Sequence, residues 1–335
     1  MGTHRIITGL FALCCFCLPH LFEAKPFGVY QQQVFVDQLG HGNFTTIQKA
    51  IDSVPENNRY WFFINVNAGL YREKIKIPYG KPFIVIIGAG KKITRVEWDD
   101  HDSLEQSPTF ATDANNTVVK SITFVNTYNF PSKGKINNNP RVAAVAGFIG
   151  GDKSAFYSVG FAGIQDTLWD SGGRHYFHRC TIQGAVDFIF GSGQSIYQSC
   201  VIQVLAGHVL EGPGYITSQG RNNSEDTNGF VFINCLVFGT GTAFLGRPWR
   251  AYSRVLYYNS NLTDVVVPEG WNSSNYWKHE NQLTFAEYGC FGSGSNTERR
   301  VKWVKKLSES AVQSFADLSF INRDGWIKDL PIAVP

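Results

Sequence analysis

Asp187 stands in Val186-Asp-Phe-Ile-Phe-Gly191, a segment whose other residues are apolar or glycine. A carboxylate in so apolar a strand is costly unless it is paired or hydrogen-bonded. Arg247, in Leu245-Gly-Arg-Pro-Trp249, is the expected partner, with Gly246 and Pro248 expected to stiffen a turn that aims its guanidinium. Buried ion pairs add little stability of their own, so this one points to chemistry. A second carboxylate, Asp166, follows Gln165 in Ile164-Gln-Asp-Thr-Leu-Trp169, 21 residues before Asp187. On adjacent coils of a repeating structure, about 4.8 Å apart, the two could not both ionise freely, and their proton affinities would separate. Asp187 beside Arg247 becomes the ionised nucleophile and Asp166 the protonated acid. The Gln165 amide is a neutral donor suited to an oxyanion.

Such a pair needs a scaffold that repeats. Hexapeptides of one pattern recur: Val119-Lys-Ser-Ile-Thr-Phe124, Phe156-Tyr-Ser-Val-Gly-Phe161, Phe177-His-Arg-Cys-Thr-Ile182, Tyr197-Gln-Ser-Cys-Val-Ile202, Phe232-Ile-Asn-Cys-Leu-Val237 and Tyr257-Tyr-Asn-Ser-Asn-Leu262. Each alternates over a strand-length window. Short strands at a period of about twenty residues, with Gly and Asn between them, predict a coiled β-solenoid; a β-sandwich is the rival. Stacked coils share one core, and Val159, Cys180, Cys200 and Cys235 should form one inward ladder. A helix is expected over Thr45–Val54, with Ile47, Ala50, Ile51 and Val54 on one face, capping the first coil's open edge. A second is expected over Ser308–Leu318. No linker divides the chain, and Pro131–Pro140 is its most loop-like stretch.

Composition sets the class. Hydrophobic residues are 43% and charged residues 17% of the 335, which describes a folded globular chain. A formal charge of +3 is too weak and dispersed for nucleic acid. His4 and Arg5, an apolar run from Ile6 to Leu18, and Ala24 before Lys25 read as a cleaved secretory signal over residues 1–24. That run is too short to span a bilayer, so no membrane partner is expected. Cys180, Cys200, Cys235 and Cys290 would remain in the mature protein, with three full pairings possible. None has metal-ligand spacing. Sequons at Asn43, Asn115, Asn222, Asn261 and Asn272 fit the same compartment.

Gly69-Leu-Tyr-Arg-Glu73, Gln165-Asp-Thr-Leu168, Gly184-Ala-Val-Asp-Phe-Ile-Phe-Gly191 and Leu245-Gly-Arg-Pro-Trp249 together resemble the signature blocks of plant pectin methylesterases, in order and well spaced, from about Val34 to the C-terminus. The resemblance implies an all-β fold, a right-handed parallel β-helix with short capping helices, as one catalytic domain over residues 25–335. It implies secretion to the plant cell wall and hydrolysis of galacturonate methyl esters without metal or organic cofactor. Asp187 would be nucleophile, Asp166 general acid then base, Gln165 an oxyanion donor and Arg247 the partner of Asp187. Thr109, Phe110, Trp249 and Trp271 match substrate-groove positions, where flat rings suit sugar faces. Tyr71 and Glu73 are expected to hold the fold. Cys200–Cys235 is the implied disulfide. Methylesterified pectin is the implied partner, with a proteinaceous inhibitor as a second, and the chain is expected to be monomeric. Two departures stand out. The signal leads almost directly into the catalytic domain, as in a short form without an inhibitor-like pro-region. In Ala143-Ala-Val-Ala146 the family usually has Gln first, the second oxyanion donor, which alanine cannot replace. A pectin-binding protein with weak catalysis is the alternative reading. A pectin lyase would need an acidic calcium cluster, which the sequence lacks.

Overall fold

A computed structural model describes residues 32–130 and 141–332. The segment expected to be a signal, residues 25–31, Pro131–Pro140 and residues 333–335 lie outside them. The described chain winds into coils whose strands fall into three wholly parallel sheets of ten, seven and eight strands. This is the right-handed parallel β-helix. Each complete coil contributes one strand to each sheet, the terminal coils fewer, and neighbouring coils pair, so backbone hydrogen bonds run along the helix axis.

The repeated hexapeptide is two strands rather than one. Ser121, Ser158, Arg179, Ser199, Asn234 and Asn259, at its third position, all have φ between 48° and 57°. That left-handed corner turns each coil from the ten-stranded sheet into the eight-stranded one. Asn and Ser tolerate it because short polar side chains bond locally. The corner also sets which residues point inward. First positions stack as an aromatic column, Phe156, Phe177, Tyr197, Phe232 and Tyr257, with centroids 4.5–4.9 Å apart and planes within 13° of parallel. Such pairs contribute about 0.5–1.5 kcal/mol each beyond the area they bury.

Fourth positions form the expected inward ladder: Ile122, Val159, Cys180, Cys200, Cys235 and Ser260 are all buried. The expected Cys200–Cys235 bridge is not formed, however, and the four cysteines among the described residues are free thiols. Each donates to a backbone carbonyl, Cys200 to Phe177 O at 3.4 Å and Cys235 to Tyr197 O at 3.2 Å. Side chains stacked in register leave parallel coils with parallel Cβ vectors, about 4.8 Å apart, whereas a disulfide needs Cβ atoms nearer 3.8 Å.

The N-terminal end is closed by a helix as the sequence suggests, and both expected helices form with tighter bounds. The first helix runs Ile47–Asp52, N-capped by Thr46, and buries Ile47, Ala50 and Ile51. The Glu73 carboxylate accepts from Ile47 N and Gln48 N, both at 2.9 Å, and so caps it from the neighbouring coil. The Tyr71 hydroxyl donates to Asn67 O. Both residues hold the fold, as expected. The second helix, Glu309–Ala316, starts at Ser308. With Phe320, Ile321, Trp326 and Ile327 it covers the outer face of the ten-stranded sheet, whose strands are therefore apolar on both sides. Among the described residues no helix is long and apolar enough to cross a membrane. Of the sequons, Asn43 and Asn222 are exposed, while Asn115, Asn261 and Asn272 are half-buried.

Candidate active site

The residues expected to carry the chemistry lie on and beside the seven-stranded sheet. Its strands include Gly147–Ile149, Leu168–Asp170, Val186–Gly191, Gly214–Gln219 and Ala243–Pro248, one per coil. Isolated parallel bridges join Ala143 to Gln165 and Gln165 to Val186. Asp166 N donates to Val186 O at 3.0 Å. Asp166 and Asp187 are therefore in register on adjacent coils, as the 21-residue spacing requires. Both have left-handed backbone, φ 59° and 46°. Non-glycine residues held there cost energy and cluster at functional sites.

Arg247 is two coils beyond Asp187 and reaches back across the strand between them. Its Nε donates to Asp187 Oδ1 at 2.9 Å and its Nη2 to Oδ2, a bidentate fork. The guanidinium lies over the Tyr215 ring at 4.3 Å from the centroid, and Tyr215 stacks on Phe244 at 5.4 Å. This platform replaces the expected turn: Gly246 and Pro248 lie within a strand. Gly246 is required by contact, since a Cβ there would sit 2.0 Å from Thr217 Oγ1.

Burial separates the two carboxyls. Asp187 is 9% exposed. Burial raises its pKa, and Arg247 opposes that rise through hydrogen bonds and charge. Asp166 accepts no side-chain hydrogen bond among the described residues. Burial first, then the Asp187 charge, push it up to about 7, against a smaller opposing effect of Arg247. The two carboxyls are thus unequal: the arginine fork engages Asp187, while Asp166, desolvated without such a partner, holds its proton to about pH 7. Behind the pair, Asp170 ends the strand after Asp166 in a wholly buried cluster. His175 Nδ1 lies 2.5 Å from Asp170 Oδ1, and the Tyr197 hydroxyl donates to Oδ2 at 2.6 Å.

The Gln165 side chain is half-buried beside Asp166 and makes no hydrogen bond among the described residues, so its amide is available to a ligand. Ala143, bridged to Gln165, offers only a methyl group. A cleft walled by Arg141, Leu210, Pro213, Tyr215 and Arg247 opens beside Val186. Among the described residues no group of three or more His, Cys, Asp or Glu could hold a metal ion.

The expected groove residues divide. Trp249 is 38% exposed on the open face. Thr109, Phe110 and Trp271 are buried, which corrects their assignment to the groove. Thr109 Oγ1 donates to Val125 O, Phe110 stacks on Phe124 at 4.5 Å, and Trp271 stacks on Phe285 with its indole N–H on Glu287. They face the core, where Phe110 and Trp271 meet aromatic partners across the interior of their own coils and Thr109 meets a backbone carbonyl. The sequence reading missed an aromatic row on the outer side of the seven-stranded sheet, in which Phe148 and Trp169 are half-buried and Phe190 is covered by its neighbours. Phe148, Trp169 and Phe190 are in register on three coils, with centroids 5.0 and 5.4 Å apart, and Phe190 meets Trp249 at 6.0 Å. Their 21-residue spacing, the same as that of the two aspartates, was the available signal.

Comparison with known proteins agrees with this geometry. The pectinesterase family model matches residues 33–324. The chain is 80% identical to probable pectinesterase 29 of Arabidopsis thaliana over 99% of each chain. It is 78% identical to probable pectinesterase 55 of the same plant over the whole of both. Among solved structures, pectin methylesterase from carrot superposes with a TM-score of 0.82 at 29% identity, covering 93% of this chain and 99% of that one. With paired aspartates on adjacent coils of a parallel β-helix, the chain belongs to the pectinesterase family.

Proposed function

We propose that the chain demethylesterifies homogalacturonan through a covalent intermediate on Asp187. The carrying observation is that the arginine fork engages one of two stacked carboxyls and leaves the other to hold a proton. Asp187 Oδ attacks the ester carbonyl carbon, and the Gln165 amide donates to the oxyanion. As the C–O bond to the methoxy group breaks, Asp166 passes its proton to the leaving oxygen and methanol departs. The galacturonate is then an anhydride on Asp187. Asp166, now a base, takes a proton from water, which attacks the same carbon, frees the carboxylate product and restores both aspartates. Phe148, Trp169 and Trp249, with Phe190 packed between the two tryptophans, give the sugar faces a surface to lie on.

Such a substrate is met in the plant cell wall, so we place the protein outside the cell, acting as a monomer and open to a proteinaceous inhibitor. Methanol release from methylated pectin, by parent and Asp187→Asn together, tests the reading. The amide keeps shape and loses charge, so activity should vanish while circular dichroism is unchanged. Near-normal turnover by the variant would refute the nucleophile. Tight pectin binding with little methanol from the parent would favour the weakly catalytic alternative that Ala143 suggests.

A further inference from the structure

Two exposed tryptophans each carry the cation that follows them in sequence. Trp249 has the Arg250 guanidinium carbon 5.2 Å from its ring centroid, and Trp277 has the Lys278 ammonium at 4.2 Å. Trp277 is 67% exposed, so its indole contributes little to the core. A large ring left in water, with a cation set against one face, is prepared for something other than packing.

Trp277 is tied to the catalytic strand. Its segment leaves the coil at Trp271, which bridges to Gly246, next to Arg247. The short 3-10 turn Ser274–Tyr276 follows, and the Tyr276 hydroxyl donates to the Trp249 carbonyl at 3.5 Å. Ile189, Thr217, Gly246 and Trp271 are in register. The coil that launches this segment is therefore three steps from that of Asp187, about 14 Å along the axis. Ser274 and Lys278 have φ 47° and 70°. Left-handed backbone in non-glycine residues on either side of Trp277 fixes how that tryptophan and its lysine are displayed.

Resting on the methylesterase reading, we propose that Trp277 and Lys278 form a second sugar subsite, which holds an already de-esterified galacturonate of the same polymer remote from the reacting ester. The indole face takes the pyranose ring, and the ammonium takes the free carboxylate. Trp249 and Arg250 repeat the pair nearer the aspartates. An indole with a cation, presented twice, matches a polymer that presents a ring and a carboxyl at every unit.

Steady-state kinetics on methylated oligogalacturonates of increasing length, and on polymer, test this. Trp277→Ala should raise KM on polymer roughly 3- to 10-fold, the size of one aromatic contact. It should leave kcat unchanged and trimer kinetics unaffected, while Trp277→Phe keeps most of the affinity. Lys278→Gln should raise KM on partly de-esterified pectin but not on fully esterified pectin, and should weaken the salt dependence. Unchanged KM on polymer, or equal losses on trimer and polymer, would overturn the subsite. Calorimetric binding of fully de-esterified oligogalacturonate by parent and Trp277→Ala decides it independently of turnover. Equal affinities refute the subsite, whereas absent methanol release from the parent refutes only the esterase reading.

Discussion

Replacing Asp166 by asparagine should make the protein more stable above neutral pH while removing its activity. In the folded protein this carboxyl keeps its proton to about pH 7, against 3.8 for an ordinary aspartate. Between those values the folded state binds more protons than the unfolded one, so stability falls as pH rises through the window. A gap of about three units corresponds to roughly 4 kcal/mol of native-state cost, fully present above pH 7. At pH 4, where the unfolded chain is itself about half protonated, only about 0.5 kcal/mol of it remains. The amide cannot ionise, and asparagine tolerates the left-handed backbone at this position as well as aspartate does. Denaturant unfolding of parent and Asp166→Asn, with equal slopes, should therefore give a variant about 2–4 kcal/mol more stable at pH 8 and within about 1 kcal/mol at pH 4. Methanol release should be lost at both. A stability difference independent of pH, or a variant less stable than the parent at pH 8, would refute a carboxyl held protonated by burial beside Asp187.

Arg247→Lys replaces a bidentate fork by a point charge, so most methanol release should be lost; a variant within about threefold of the parent would show that the fork does not orient Asp187. Ala143→Gln places an amide beside Gln165 and should raise kcat roughly tenfold with little change in KM, below the 10²–10³ that one oxyanion donor is worth elsewhere. A variant no faster than the parent would mean that another donor completes the oxyanion site. Oxidation of the thiol ladder should yield at most one bridge, and it should include Cys200, which lies between Cys180 and Cys235. Non-reducing peptide mapping tests this. A bridge to Cys290, which Ser260 separates from Cys235, would contradict the coil register.

The one-dimensional repeat explains what could be read without coordinates. In a β-helix, residues one coil apart in sequence are neighbours in space. Spacing along the chain therefore gives adjacency along the axis, and that suffices to stack Asp166 on Asp187 and to line up Cys180, Cys200 and Cys235. The polarity of a single strand likewise demanded a cation for Asp187, and Arg247 supplies it. Direction around the coil was not legible. Whether Phe110, Trp271 or Phe148 faces the core or the groove depends on where each coil turns. That is set by left-handed corners such as Ser158 and Asn234, whose residue types differ little from strand positions. The same holds for the thiols: sequence brought Cys200 and Cys235 to equivalent positions, but only the packed coils fixed their Cβ vectors in parallel. The proton affinity of Asp166 is likewise a product of the fold. It follows from burial and from the Asp187 charge one coil away, and both come into being only when the coils stack.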